Sequence, residues 1–211
     1  MKKNILSVLL ICLAITLNSC GPQLYKVADF DKYKSRHKIV AILPFSATLD
    51  ARKTKGQDSE AVAASIKKTG YDMQNTLFSE LLRKFSKDKY IVEFQDVNKT
   101  NALLTKGNIT YDDIALKDKG EICKLLGVDA VISGTVRMTK PMSDGAGIAL
   151  ALLGVGAATN KTDVSLSIND AEEGKLLWKY DWQASGSIGS SSESLGKGLA
   201  RSVSRQFPYQ K

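Results

Sequence analysis

Ile39 to Phe45 is an uninterrupted apolar run that reads as a buried central strand, with Pro44 at its exit. Polar residues from Ser46 to Gln57 predict a loop. Val62, Ile66, Met73, Leu77, Phe78, Leu81, Leu82 and Phe85 then recur at three-, four- and seven-residue spacings, which predicts a long amphipathic helix. Gly70 marks either a break in that helix or a close packing contact, and Lys84, Lys87 and Lys89 lie near its end, where the dipole favours cations. Tyr90 to Val97 reads as a second strand, and Asn98 as the N-cap of a short helix ending at Gly107. Thr110-x-x-Asp113 is a capping-box variant for a helix carrying Ile114, Ile122, Leu125 and Leu126, with Gly120 weakening its middle and Gly127 as its C′ residue.

Val128 to Met138 starts as a strand. Asp163 to Ile168 alternates, with Val164, Leu166 and Ile168 on one face. Turn residues fill Asn169 to Gly174, and Leu176, Trp178, Tyr180 and Trp182 alternate on the way back, so the segment predicts a long-looped hairpin. Ser190-x-x-Glu193 is a capping box for a last helix carrying Leu195, Leu199, Val203 and Phe207, which Pro208 ends. The order β-α-β-α-α-β-β-β-α predicts one α/β or α+β domain with helices packed on a mixed β-sheet.

The first 37 residues have another character. Lys2 and Lys3 precede an uncharged, largely apolar run from Ile5 to Leu17. That run is too short to span a bilayer, which takes about 20 residues, but it suits a signal peptide. Leu17-Asn18-Ser19-Cys20 resembles the lipobox of bacterial lipoproteins. The resemblance implies cleavage before Cys20, with Leu17, Asn18 and Ser19 read by the peptidase, and acylation of the Cys20 thiol. An ordinary secreted protein and an uncleaved anchor are the alternatives. Gly21, where an Asp would signal inner-membrane retention, favours the outer membrane. The expected organisation is a cleaved signal peptide over 1–19, a lipidated N-terminus and tether over 20–37, and a periplasmic domain over 38–211.

The 211-residue length fits one domain, and 43% hydrophobic with 25% charged residues is a globular composition. The net charge is +8, and removing Lys2 and Lys3 leaves 28 basic against 22 acidic residues. This excess is spread along the chain and predicts a solvated basic surface, with weak attraction to anionic lipid, acidic glycan or an acidic partner as the alternative. No basic run is interleaved with aromatics, so nucleic acid is not an expected partner. Cys12 and Cys20 belong to the leader and the lipid site, which leaves Cys123, beside Ile122 and Leu126, as a lone core thiol. His37 is the single histidine and falls at the edge of the expected tether, so no catalytic triad is assigned. No Cys/His cluster has zinc spacing and no phosphate-cradling glycine motif opens a helix. Asp112-Asp113 and Glu172-Glu173 suit a helix start and a turn. No catalytic residue, metal or cofactor is expected.

Residues 144–160 carry no charge between Asp144 and Lys161 and are small and apolar from Ile148 to Ala158. They read as a buried helix or loop, a self-association or partner patch, or a membrane-inserting strand. Three passages together resemble the periplasmic domain shared by CsgG-like curli-secretion lipoproteins and LpoB-type activators of penicillin-binding proteins. They are Lys38 to Phe45, Leu126 to Val136, and the hairpin from Val164 to Trp178. The resemblance covers roughly residues 38–207 and implies a TolB-N-terminal-like fold. It also implies a lipid-anchored, non-catalytic interaction module in cell-envelope biogenesis, with membrane lipid bound through acylated Cys20 and an envelope protein or a second copy as partner. The alternative it implies is a CsgG-like subunit of an oligomeric secretion complex.

Overall fold

The computed structural model describes residues 22–50, 58–139, 161–185 and 191–211. Its framework is three long antiparallel strands, β5 (Ala130–Thr139), β6 (Lys161–Asp170) and β7 (Leu176–Ser185), paired along their lengths. The alternation read in the sequence holds for Val164, Leu166 and Ile168, which are buried, and for Trp178 and Tyr180 across from them, but Leu176 is exposed and Leu177 buried in its place, because the register shifts at Ile168/Asn169. β2 (Ile39–Ile42) and β3 (Ser46–Leu49) both run parallel to β5, against its first and second halves. They form one line of strand interrupted at Pro44, which has no N–H to give to the ladder. The expected loop over 46–57 therefore begins with four strand residues, recruited because the second half of β5 needs partners.

β4 (Glu93–Phe94) pairs with β2, and, with β1 the strand Gln23–Lys26, the sheet order is β1-β7-β6-β5-β2-β4 with β3 also on β5. This is a mixed seven-stranded sheet. The long helix α2 (Ser59–Phe85) and the last helix α6 (Ser192–Val203) cover one face. Met73, Leu77 and Leu81 of α2 and Leu195, Leu199 and Val203 of α6 meet Ile42, Phe45, Ile132 and Trp178 there. On the other face α3 (Val97–Lys106), α4 (Asp113–Leu116) and α5 (Lys119–Leu126) bury Ala41, Leu43 and Val131 under Leu104, Ile122, Cys123 and Leu126. Gly127 closes α5 in the left-handed conformation, φ 65°, as its position predicted. Among the described residues no helix is long and apolar enough to cross a membrane.

Element ends differ from the sequence reading. The strand expected over 90–97 shrinks to β4, because Asp96 accepts from the amides of Asn98 and Lys99 and starts α3 at Val97. The single helix expected to end at Gly127 is two, since Asp118 accepts from the Glu121 amide and caps a new start. The capping box is Ser191 with Ser194, one residue past the pair predicted. Leu82 and Phe85 are 38% and 37% exposed, outside the core stripe of α2.

The largest correction concerns residues 21–37, expected as a tether. β1 (Gln23–Lys26) pairs antiparallel with β7, and α1 (Phe30–Arg36) follows. Phe30 is wholly buried, its ring 5.7 Å from that of Tyr209. The Val27 amide donates to the Leu177 carbonyl, so the segment is fastened to β7 beyond the end of β1. β7 offers a free edge and Phe30 fills a slot in the core, and together they outweigh the cost of ordering a polar stretch. The Gly/Ala segment 144–160 lies outside the described residues; Thr139 and Lys161, on either side, are paired.

Candidate functional site

Leu17, Asn18, Ser19 and Cys20, read from the sequence as the lipidation signal, lie outside the described residues. What the structure positions is the segment that follows them. Only Gly21 and Pro22 separate Cys20 from β1. A polar cluster then clasps this segment to the domain. His37 Nε2 lies 2.9 Å from Asp170 Oδ1, and Nδ1 lies 2.6 Å from the Tyr209 hydroxyl. A carboxylate only accepts, so Nε2 carries a proton. Arg36 donates to Asp170 at 3.1 Å and to Glu172 at 2.8 Å.

His37 and Asp170 are each 2% exposed and Tyr209 is fully enclosed. Placing His37 at the edge of a free tether is thereby corrected: it is a buried, doubly bonded core group. Burial pushes the Asp170 carboxyl up, but hydrogen bonds from His37 and the Glu172 amide, with the Arg36 charge, outweigh it and hold it below the usual carboxylate range. Burial drives the Tyr209 phenol far above its usual value, so it keeps its proton and can donate it to a neutral His37 ring. Tyr209→Phe leaves Nδ1 buried without a partner and is expected to cost about 1–3 kcal/mol, read from the urea midpoint. Cys123 is buried as expected, and burial pushes its thiol up to about 12.

A second feature is the part of the sheet that α3, α4 and α5 leave uncovered. Residues facing the same way in successive strands form rows across it. One row reads Gln23, Asp181, Ser165, Thr135 and Ser46, across five strands. The next reads Gln183, Asp163, Arg137 and Thr48. Asp181 accepts from Ser165 at 2.5 Å and from Lys179 at 2.9 Å, and Asp163 accepts from Gln183 at 2.6 Å. Partial burial pushes the Asp181 carboxyl up, and the bonds from Ser165 and Lys179 more than reverse it. A shallow depression of about 650 Å³ lies over Gln23, Arg137, Asp163, Asp181 and Gln183. Arg137 is exposed and makes no ion pair among the described residues. The sequence signal for this face was the polar half of the β6 alternation, Asp163, Ser165 and Ser167, whose partners in other strands no local pattern reveals.

No protein-family model matches the chain, and no curated protein matches it by sequence. Solved structures show distant likeness. The lipoprotein GNA1162 from Neisseria meningitidis is 16% identical over 81% of this chain and 96% of its own, with a TM-score of 0.40. The PelC dodecamer protein from Paraburkholderia phytofirmans is 13% identical over 90% of this chain and 98% of its own, with a TM-score of 0.42. The LpoB C-terminal domain from Salmonella enterica is 7% identical over 71% of this chain and 84% of its own, with a TM-score of 0.34.

Proposed function

We propose that this protein is a lipid-anchored, non-catalytic interaction module of the bacterial cell envelope. A thioether on Cys20 holds it to the outer membrane, and the domain faces the periplasm. The observation that carries the reading is the order Leu17-Asn18-Ser19-Cys20, a peptidase signal ending in a thiol, placed directly before the first strand of a folded domain. Gly21 supports outer-membrane sorting. Two or more acyl chains, at about 0.8 kcal/mol per buried CH₂, give stable attachment where one gives only marginal binding. The partner on this reading is an envelope protein, in the manner of an LpoB-type regulator of a peptidoglycan synthase, and the open polar sheet face offers it a docking surface.

The test is Cys20→Ala in cells fed labelled palmitate. The wild type is expected to carry label and sediment with outer-membrane fragments, and the variant to carry none and appear in the soluble fraction. A variant that still sediments with the envelope, or a wild type without label, overturns the reading. In-cell cross-linking of the wild type then identifies the partner.

A further inference from the structure

We infer that the domain lies directly against the bilayer, with the corner between the start of β1 and the Thr139–Lys161 end of the sheet as its lipid-facing surface. This deepens the lipid-anchor reading and rests on it. The argument is one of chain length. Cys20 is three residues from Gln23, a reach of at most about 11 Å fully extended. Gln23 is not free to swing: it is paired with Asp181, which lies opposite Ser165, which lies opposite Thr135. From that row the sheet runs on to Thr139, Lys161 and Ser185, four residues further, or about 13 Å. Cys20 at full stretch therefore stops about 2 Å short of the end of the sheet. A lipid attached there brings this corner of the described residues toward the headgroups, because the two residues between Cys20 and β1 are too few to act as a spacer.

The chain cannot lengthen its reach by peeling β1 off β7 without cost. The Val27 amide bond to Leu177, the buried Phe30 ring and the His37–Asp170–Tyr209 cluster all fasten the segment just behind β1.

The side chains at the two ends of the sheet agree with this orientation. Arg137 lies in the row beyond Gln23 with its guanidinium without an ion pair among the described residues, and a planar guanidinium suits lipid phosphate. At the opposite end, the turn between β6 and β7 carries the exposed carboxylates Glu173 and Glu172, the latter paired with Arg36, whereas Asp163 and Asp181 toward the near end are each held by hydrogen-bond donors of the sheet. Nine residue steps along β6 separate the two ends, about 30 Å.

The experiment uses the full-length, acylated protein reconstituted in vesicles of phosphatidylethanolamine and phosphatidylglycerol. Gln183→Cys and Glu173→Cys, both exposed positions, are labelled singly with a maleimide fluorophore. Cys123 is fully buried with a raised thiol pKa and stays unlabelled in the folded protein. Headgroup-nitroxide lipid is then titrated in. The expected result is that the Gln183 label loses most of its fluorescence while the Glu173 label keeps its own. Inserting about twelve Gly/Ser residues after Gly21, a reach of about 19 Å, is expected to abolish the difference. Equal quenching at both sites, or stronger quenching at Glu173, in protein that floats with the vesicles overturns the orientation alone. A full-length wild type that proves to carry no acyl chain and does not float overturns the anchor and the orientation together.

Discussion

Asp170→Ala is expected to destabilise the domain by about 3 kcal/mol, the loss of charge-assisted hydrogen bonds together with a buried donor left unpaired. The carboxylate accepts from His37, from Arg36 and from the Glu172 amide. Removing it strands the His37 Nε2–H in a site 2% exposed, where water cannot replace the lost acceptor. The damage should start at the N-terminal segment, because α1 and His37 are what the carboxylate holds. Hydrogen exchange is therefore expected to rise first in residues 23–37, ahead of β5 and β6.

The effect also has a pH signature. The Asp170 carboxyl titrates below its ordinary 3.8 in the folded state. Its contribution is complete above that ordinary value and is lost as the pH falls through the lower, folded one. Against the Asp170→Asn variant, the wild type is expected to hold its advantage at neutral pH and to lose it on acidification below about pH 4. Urea midpoints of both proteins across that range check the sign. An advantage that grows with acid removes the carboxylate from the account.

Gly70→Ala is expected to cost about 3 kcal/mol, although alanine is the better helix former by about 1 kcal/mol at an exposed helical site. The sign reverses because α2 touches the joint between β2 and β3 through its backbone. The Phe45 amide donates to the Gly70 carbonyl at 3.1 Å. Tyr111 closes the same joint, donating to the Phe45 carbonyl and accepting from the Ala47 amide. A Cβ on residue 70 would sit 2.2 Å from the Phe45 carbonyl oxygen and 2.5 Å from the Tyr111 hydroxyl. Backbone atoms cannot rotate away as a flexible side chain would, so the helix must lift and loosen those bonds. For a domain of this size the loss corresponds to a fall in Tm of about 6–12 °C, measurable by calorimetry. An unchanged or raised Tm would mean that the helix does not approach the joint this closely.

Long elements with their own periodicity were legible in the chain. The stripe Met73, Leu77 and Leu81 located α2, and Val164, Leu166 and Ile168 located β6, because each pattern spans several repeats of one geometry. The two strands that were missed owe their form to distant partners. Ser46–Leu49 carries a mixed Ser-Ala-Thr-Leu sequence and is a strand because β5 lies alongside. Gln23–Lys26 has every residue exposed and no alternation to read, and β7 alone makes it a strand. The clasp was equally illegible: His37 meets groups 133 and 172 residues further along the chain. A lone histidine in a polar stretch gives no local sign of such company. Helix starts slipped by one or two residues or were missed altogether wherever several Asp or Ser residues competed, as at Ser191 against Ser190, Asp96 against Asn98 and Asp118 against Thr110.

The antiparallel seam between β1 and β7 also decides how the molecule bears load. A pull on the chain ahead of Gln23, directed along β1, acts on all of that seam's hydrogen bonds in shear, so they must fail together. The same pull directed sideways opens them one at a time, from Gln23 toward Lys26. Beyond the seam the load meets Phe30 and then His37, each seated in the body of the domain. Tension at the N-terminal side thus passes straight into the central sheet, and the protein behaves as a rigid fitting rather than as a weight on a slack line.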